Sequence, residues 1–496
     1  MGMIDRQSNE VQQRLAKLAR FKERGVLPYP PRVKRSHSVA EALATYQPET
    51  NPDPAEDTLL QISGRLMSIR VMGKSTFAHL EDGTGRIQIY LQKNALGDEA
   101  YDNFRKDFDV GDFVAVAGTL FTTRTGEITL RVQSYELAAK ALHPLPEKWH
   151  GLKDIETRYR QRYLDLIANP EVRDVFTKRT KIVSAMRRYL DGVGFLEVET
   201  PALQPVYGGA LAHPFTTYHN VLDTTLYLRI SDELYLKRLI VGGLNKVYEI
   251  CKDFRNEGIS TKHNPEFTMM ECYWAYADYA DMMDLTEDMI ADIAQQVLDT
   301  TRITYQGHEI DLTPPWRRIS LAEALRQAVE IDIDVLTDME ALWAECQRLR
   351  LEVAPQPTWG KLVEALLDNY VEPNLIQPTF VHTYPIDISP LSKQCPDDPR
   401  MVERFELFIA GREIGNAYSE LNDPLAQQER FESLSALAGD GDGETHPVDE
   451  DYVAALMYGM PPTGGLGIGV DRLVMLLTDQ SSIREVILFP TLRPRA

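Results

Sequence analysis

The sequence predicts an α+β protein built in two parts, a small β-barrel followed by a much larger domain of mixed helices and strands. Three observations carry this. Five short strand-like runs with Gly- or Asp-containing turns follow one another between Leu59 and Leu137. Beyond residue 150 the apolar spacing lengthens to that of amphipathic helices, starting with VFTKRTKIVSAMRRYLDGVG. Two strands around a polar loop, Val247 to Tyr276, then carry an unusual load of charge on one face. A chain of 496 residues, 43% apolar and 26% charged, has globular composition and room for two to four domains.

Composition also excludes. No apolar run approaches the roughly 18 residues of a membrane-spanning helix. The charged start MGMIDRQSNEVQQRLAKLARFKERG has no apolar segment followed by a small-residue cleavage site, which points to a soluble, cytoplasmic protein with no membrane partner. The four cysteines, Cys251, Cys272, Cys346 and Cys395, form no CxxC pair and read as reduced thiols. The formal charge is −21, from 53 Lys and Arg against 74 Asp and Glu, which argues against indiscriminate nucleic-acid binding. The stretch Leu59–Lys140 is nonetheless balanced, with ten basic and ten acidic residues, and leaves room for a shaped contact.

Along the chain, Val11, Leu15, Leu18 and Phe21 form one helical stripe that ends near Gly25. TYQPETNPDPAED at 45–57 reads as a linker. The runs QISGRLMSIRV, STFAHLED, GRIQIYLQ, DFVAVAGTLF and ITLRVQSYEL then give five strands. The helical piece GDEAYDNFRKDFD lies between the third and fourth, an arrangement that fits a Greek-key barrel of the OB type. If Ala78, Leu80, Ile87, Ile89 and Leu91 face inward, Phe77, His79, Gln88 and Tyr90 point outward, where they suit stacking and hydrogen bonding to single-stranded bases; one exposed aromatic on an ordinary sheet is the bland alternative. HPLPEKWHG marks a boundary. The division is 1–58 (helix and linker), 59–145 (barrel) and 146–496 (large domain). In the large domain, Val175, Ile182, Met186, Leu190 and Val193 share a helical stripe that gives way to the strand FLEVETP. DMMDLTEDMIADIAQQVL is a second amphipathic helix, and GDGDGETHPVDEDY (439–452) reads as a solvated acidic loop.

Three stretches carry chemistry. In VYEICKDFRNEGISTKHNPEFTMMECYWAY the two-residue period puts Arg255, Glu257, Phe267, Glu271 and Tyr273 on one side of a hairpin. So many charges on one face need polar partners. Arg255 offers a planar fork to a phosphate or carboxylate, Phe267 a π-surface to a base, and Glu257 an acceptor to an exocyclic amine; His263 and Asn264 reach more distal phosphates. In GGLGIGVDRLVMLLT a Gly-rich strand enters a helix and places Arg472 in the first turn, where anions are favoured. ERFELFIAGREIGNAYSELND clusters Glu406, Glu413, Asn416 and Glu420. Carboxylates beside a phosphate site suit Mg²⁺, but strict alternation separates Glu413 from Asn416 and Glu420, so convergence requires a turn or bulge, near Gly415.

With these motifs in place, the sequence resembles the class II aminoacyl-tRNA synthetases, and within them the bacterial-type lysyl-tRNA synthetases. GFLEVETPAL looks like motif 1, FRNEGISTKHNPEFTMMECYWAYADY like motif 2 and GGLGIGVDRLVMLL like motif 3. SDELYLKRLIVGG and GREIGNAYSELND point to the lysine enzymes, and the likeness runs over nearly the whole chain. It implies a six-stranded antiparallel catalytic sheet flanked by helices, a homodimer joined through motif 1, and an OB-fold anticodon-binding domain. It implies ATP-dependent activation of L-lysine to lysyl-adenylate and transfer to the 3′ end of lysine tRNA. Carried over, Arg255 and Arg472 are the catalytic residues. ATP falls to Arg255, Glu257, His263, Asn264, Phe267, Glu406, Gly467 and Arg472, with Mg²⁺ on Glu406 and Glu413. Lysine falls to Gly209, Glu233, Arg255, Glu271, Tyr273, Asn416, Tyr418 and Glu420, and the anticodon to Phe77, Gln88 and Glu127. Ala417–Tyr418 stands where many relatives have Gly-Phe, which implies a small change in pocket shape. The alternatives are an aspartate- or asparagine-type synthetase, which wants an arginine where Glu420 stands, a lysyl-transferring paralogue that acts on protein, and a catalytically silent RNA-binding protein.

Overall fold

Side-chain alternation along the strands builds both units of the chain, Met1–Lys153 and Asp154–Ala496. The computed structural model describes residues 8–46, 59–146, 152–437 and 448–495. Most of the expected linker (from residue 47), the end of the Pro-marked boundary (from 147) and the acidic loop up to 447 lie outside the described residues.

In the first unit, helices α1 (Asn9–Glu23) and α2 (Val39–Ala44) precede the barrel strands β1 (Leu60–Met72), β2 (Ser75–Glu81) and β3 (Arg86–Gln92). Helix α3 (Asp98–Asp107) follows, then β4 (Phe113–Thr122) and β5 (Ile128–Ala139). The strands close in the order β1-β2-β3-β5-β4, with β4 returning to β1. Ala78, Leu80, Ile87, Ile89 and Leu91 are buried, so the expected inward set is the barrel core. The stripe of α1 packs through Phe21 edge-on to Phe108, ring centres 5.3 Å apart. Arg20 and Arg24 hold Asp107 at 2.7 and 2.6 Å, so this helix belongs to the barrel unit.

The second unit is organised on one sheet. Helix α4 (Pro170–Gly192) leads into β6 (Leu196–Glu197), then α5 (Glu233–Val241), β7 (Lys246–Phe254), β8 (Glu266–Ala275) and α6 (Tyr279–Leu298). After these come β9 (Arg317–Ser320), α7 (Trp359–Leu366), β10 (Thr379–Pro385), β11 (Met401–Phe408), β12 (Glu413–Ser419), β13 (Thr463–Gly469) and α8 (Val470–Leu477). The sheet order is β9-β10-β11-β12-β13-β8-β7-β6. The six central strands are antiparallel, as expected, and the structure adds a parallel strand at each edge, β9 on β10 and β6 on β7. The strand expected over FLEVETP is thus only two residues long.

The two faces of this sheet differ completely. Tyr248, Met270, Cys272, Phe405, Leu407, Ala417, Leu466 and Ile468 point to one side and form the main core with apolar residues of α4, α6 and α8. Their sequence neighbours point the other way and, Val247 and Met269 apart, are polar, aromatic or glycine. A one-residue slip of any central strand would exchange these sets.

Close backbone approach is most severe at Gly118 in the barrel. A Cβ there would overlap the Arg131 carbonyl oxygen and lie 3.2 Å from Val132 Cα. Gly118→Ala is expected to cost about 1–3 kcal/mol of barrel stability, read as faster amide exchange along β4 and β5; unchanged protection would contradict this.

Candidate functional site

Strand pairing sets the site in rows. On one rung Glu249, Glu271, Gly467, Asn416 and Glu406 lie side by side; on the next come Val247, Tyr273, Gly465, Tyr418 and Arg404. Glycine occupies the middle of both rungs, and a Cβ at Gly465 would overlap the Glu420 carboxylate and come within 2.6 Å of Tyr273. The result is a cleft of about 430 Å³ over the polar face. Every residue expected in the large domain lines it except Glu420, whose carboxylate packs over Gly465 beside Tyr273 and which is 1% exposed. The convergence of Glu413 with Asn416 depends on a register shift. Leu407 pairs with Gly415 but Phe408 pairs with Glu413, which leaves Ile414 as the extra residue.

At one end Arg255 leaves the hairpin with its guanidinium 5.1 Å from the Phe267 ring centre, and its Nε donates to the Ile230 carbonyl at 3.4 Å. Glu257 is exposed at the rim. The Asn264 side chain donates to the Glu266 carbonyl at 2.6 Å and accepts from the Thr491 amide at 3.1 Å. Burial, and then Arg472, lower the His263 pKa, which keeps the ring neutral at pH 7. Arg472, in the first turn of α8, donates to the Glu413 carboxylate at 2.8 Å and to its carbonyl at 3.0 Å. Burial disfavours the Glu413 charge, but Arg472 outweighs it and the pKa is lowered.

Glu406 takes hydrogen bonds from Arg404 at 2.6 Å and Tyr384 at 3.0 Å. Burial raises its pKa to about 7 from 4.5; Arg404 opposes the shift and Glu413 adds to it. The folded chain therefore keeps this proton between about 4.5 and 7, and the contribution of Glu406 to stability falls as pH rises through that window. Two like-charged carboxylates with Glu364 of α7 nearby form an all-oxygen donor set, which fits a hard divalent cation.

At the other end the acids are deeply buried. Gly209, with φ of +88°, turns against Ser231 and Glu233. Glu271 accepts from Ser231 and Tyr273, both at 3.0 Å. Burial raises the Glu233 pKa, and Lys237 and, more weakly, Tyr418 oppose the shift. Lys237, wholly buried on α5, bridges Glu233 at 2.5 Å and Glu420. Burial opposes its charge, but the two carboxylates win and its pKa is raised, so the ammonium persists. Lys237 holds one oxygen of Glu420, Oε2, and the other, Oε1, receives no hydrogen bond.

On the barrel, Phe77 and Tyr90 pair at 4.8 Å between ring centres. Gln88 donates to Glu127 at 2.6 Å, and His79 lies 3.1 Å from the same carboxylate. The three expected residues therefore share one outer face. Arg131, 4.7 Å over Phe121, extends it.

Comparison with known proteins agrees with this geometry. Residues 154–493 match the family described as tRNA synthetases class II (D, K and N), and residues 60–138 match the OB-fold nucleic acid binding domain. A lysine–tRNA ligase of Chloroflexus aurantiacus is 56% identical over 491 residues, covering 98% of this chain and 99% of the relative. One of Bacillus subtilis is 51% identical over 98% of both. The chain belongs to the lysine–tRNA ligase family.

Within that family frame, sequence reasoning missed Arg404 in the cleft and the buried Lys237 beside it. Arg404 follows from the same alternation as Glu406 along MVERFELF. It binds Ser389 at 2.8 Å and Asn416 at 3.1 Å. Lys237 stands four residues after Glu233 on one helix, a spacing that signals a pair, but its bond to Glu420 has no local trace. All four cysteines are free, as expected. Among the described residues no helix is long and apolar enough to cross a membrane.

Removing a buried ion's partner is costly. Lys237→Met is expected to lose about 3–5 kcal/mol in denaturant unfolding at pH 8. The loss should shrink as pH falls and Glu233 and Glu420 take up protons; a pH-independent loss below about 1 kcal/mol would contradict the bridge.

Proposed function

We propose that the chain activates L-lysine with ATP and transfers it to the 3′ end of lysine tRNA, with the cleft of the large domain as the active site. The observation that carries this reading is the pairing of an Arg255–Phe267 nucleotide face with buried carboxylates at the opposite end. Lysine has two ammonium groups and one carboxylate, and the cleft presents the complementary order of charge. Glu233 takes the α-amino group beside Gly209. Glu420, with Tyr273 and Glu271, takes the ε-ammonium, and its undonated Oε1 supplies the acceptor. Asn416 and Tyr418 line the aliphatic stem.

In the first step a lysine carboxylate oxygen bonds to the α-phosphorus and the bond to the β-phosphate bridge breaks, releasing pyrophosphate. Arg255 spans the carboxylate and the α-phosphate and offsets the charge that builds there. Phe267 and Arg472 hold the adenine between them, Glu257 accepts from its amine, and Gly467 lets the nucleotide approach the strand. Neutral His263 and Asn264 orient the phosphates. Glu406 and Glu413 hold Mg²⁺, which supplies further neutralisation of phosphate charge. Rate comes from positioning, with no protein nucleophile. In the second step the terminal ribose hydroxyl of the tRNA attacks the carbonyl of the adenylate, and AMP leaves. The barrel reads the anticodon through Phe77, Gln88 and Glu127. The exposed apolar side chains beside motif 1, Leu196 and Leu203, suit a homodimer contact. We place the reaction in the cytoplasm.

An aspartate-type pocket would need a cation facing the substrate side chain. The cation beside Glu420, Lys237, is wholly buried and already paired with two carboxylates, which favours lysine. Charging of total tRNA with each amino acid tests the reading: lysine alone should be esterified, and charging by aspartate or asparagine would overturn it.

Arg255→Ala is expected to lower lysine-dependent pyrophosphate exchange by at least about 100-fold with tRNA binding retained; normal exchange would discredit its role. Phe77→Ala should raise the KM for tRNA by roughly tenfold and leave exchange unchanged, and an unaltered rate at limiting tRNA would count against the barrel assignment.

A further inference from the structure

Behind the cleft wall that carries Ser231 and Glu271 lies a second group of acids that the activation chemistry does not use. Asp232 precedes α5, while Glu249, Cys251 and Asp253 alternate along the face of β7 that continues onto Glu271 of β8. Carboxylate oxygens of Asp232, Asp253 and Glu271 lie within 4.8 Å of one another, and Asp232 forms a second such group with Glu249 and Cys251. Asp232 and Asp253 are both 0% exposed.

Most members of the cluster are satisfied. Glu271 is held by Ser231 and Tyr273, and Glu249 by Thr200 at 2.7 Å. Both oxygens of Asp232 and one of Asp253 receive no hydrogen bond. Among the described residues Arg229 is the one cation in ion-pair contact, 2.7 Å from Glu249 and 3.4 Å from Asp253. Four buried carboxylates thus share one guanidinium. The N-terminus of α5 offsets only part of the remainder. Buried, undonated carboxylates of this kind are neutralised either by a bound cation or by a proton.

We propose that Asp232, Asp253 and Glu271 form a binding site for a hard divalent cation, separate from the Glu406–Glu413 pair. Oxygens on opposite sides of such an ion stand about 4–5 Å apart, which matches the cluster. The donors are carboxylates. The Cys251 thiol donates to Asp253 at 3.7 Å and so joins the cluster as a hydrogen-bond donor. Ser231 and Glu271 also face the cleft, which supplies an entry route. The ion would brace Glu271, and through it Tyr273, from behind. A proton shared between Asp232 and Glu271, which stand within hydrogen-bonding reach, is the competing occupant.

Equilibrium dialysis of the full chain against Mn²⁺ alone, without ATP, tests this. In a Glu413→Gln chain, which weakens the other acidic pair, one Mn²⁺ per chain should remain, and added Mn²⁺ should raise the melting temperature. Adding Asp232→Asn and Asp253→Asn should weaken that binding at least about tenfold, and Mg²⁺ or Ca²⁺ should compete better than Zn²⁺. Undiminished binding in the Asn variant overturns the proposal. Should that variant not fold, the Glu413→Gln chain decides alone: no bound Mn²⁺ and no melting shift mean the cluster holds protons, and the proposal fails.

Discussion

The ion bridge from Lys237 to Glu233 and Glu420 is the constraint on which the substrate end of the cleft depends. It joins helix α5 to the segment just beyond β12, nearly two hundred residues later, and it does so without exposure to water. A resident ammonium makes it possible to bury two carboxylates side by side. It also fixes how much negative charge is left over for a ligand: one ammonium offsets one of the two carboxylates and leaves the other. The pocket therefore keeps a demand for positive charge, which a basic amino acid meets and an acidic one does not.

The sheet supplies the frame for this balance. Because its side chains alternate, one register serves both the apolar core and the site. Met270 and Cys272 join the main core because Met269, Glu271 and Tyr273 face the cleft. Glycine at 465 and 467 then removes the side chains that would fill the centre of the polar face. The same logic operates in the barrel, where Ile87, Ile89 and Leu91 close the interior and leave Gln88 and Tyr90 outside.

Much of this was legible in the chain before any coordinates. Period-two reading placed Phe267, Glu271 and Tyr273 together, the Gly-rich run announced Arg472 at a helix start, and the conflict between Glu413 and Asn416 called for the bulge found at Ile414. Resemblance was needed for the roles of Glu233 and Gly209, since nothing local marks them. What stayed hidden depends on distant partners. The edge strand β9 is short and pairs in parallel, so no turn signals it, and for β6, expected within FLEVETP, only the parallel pairing with β7 was hidden. Asp232 looks like an ordinary residue before a helix until β7 and β8 bring Asp253 and Glu271 against it.

The central claim is that buried carboxylates, Glu420 foremost, select an ammonium at the end of an aliphatic stem. Calorimetric titration with L-lysine and with L-norleucine, its counterpart without the ε-ammonium, tests it directly. The wild-type chain should bind lysine far more tightly than norleucine, and Glu420→Gln should lose about 30-fold or more of the lysine affinity and with it the preference. Lysine binding at undiminished affinity in that variant would contradict the account.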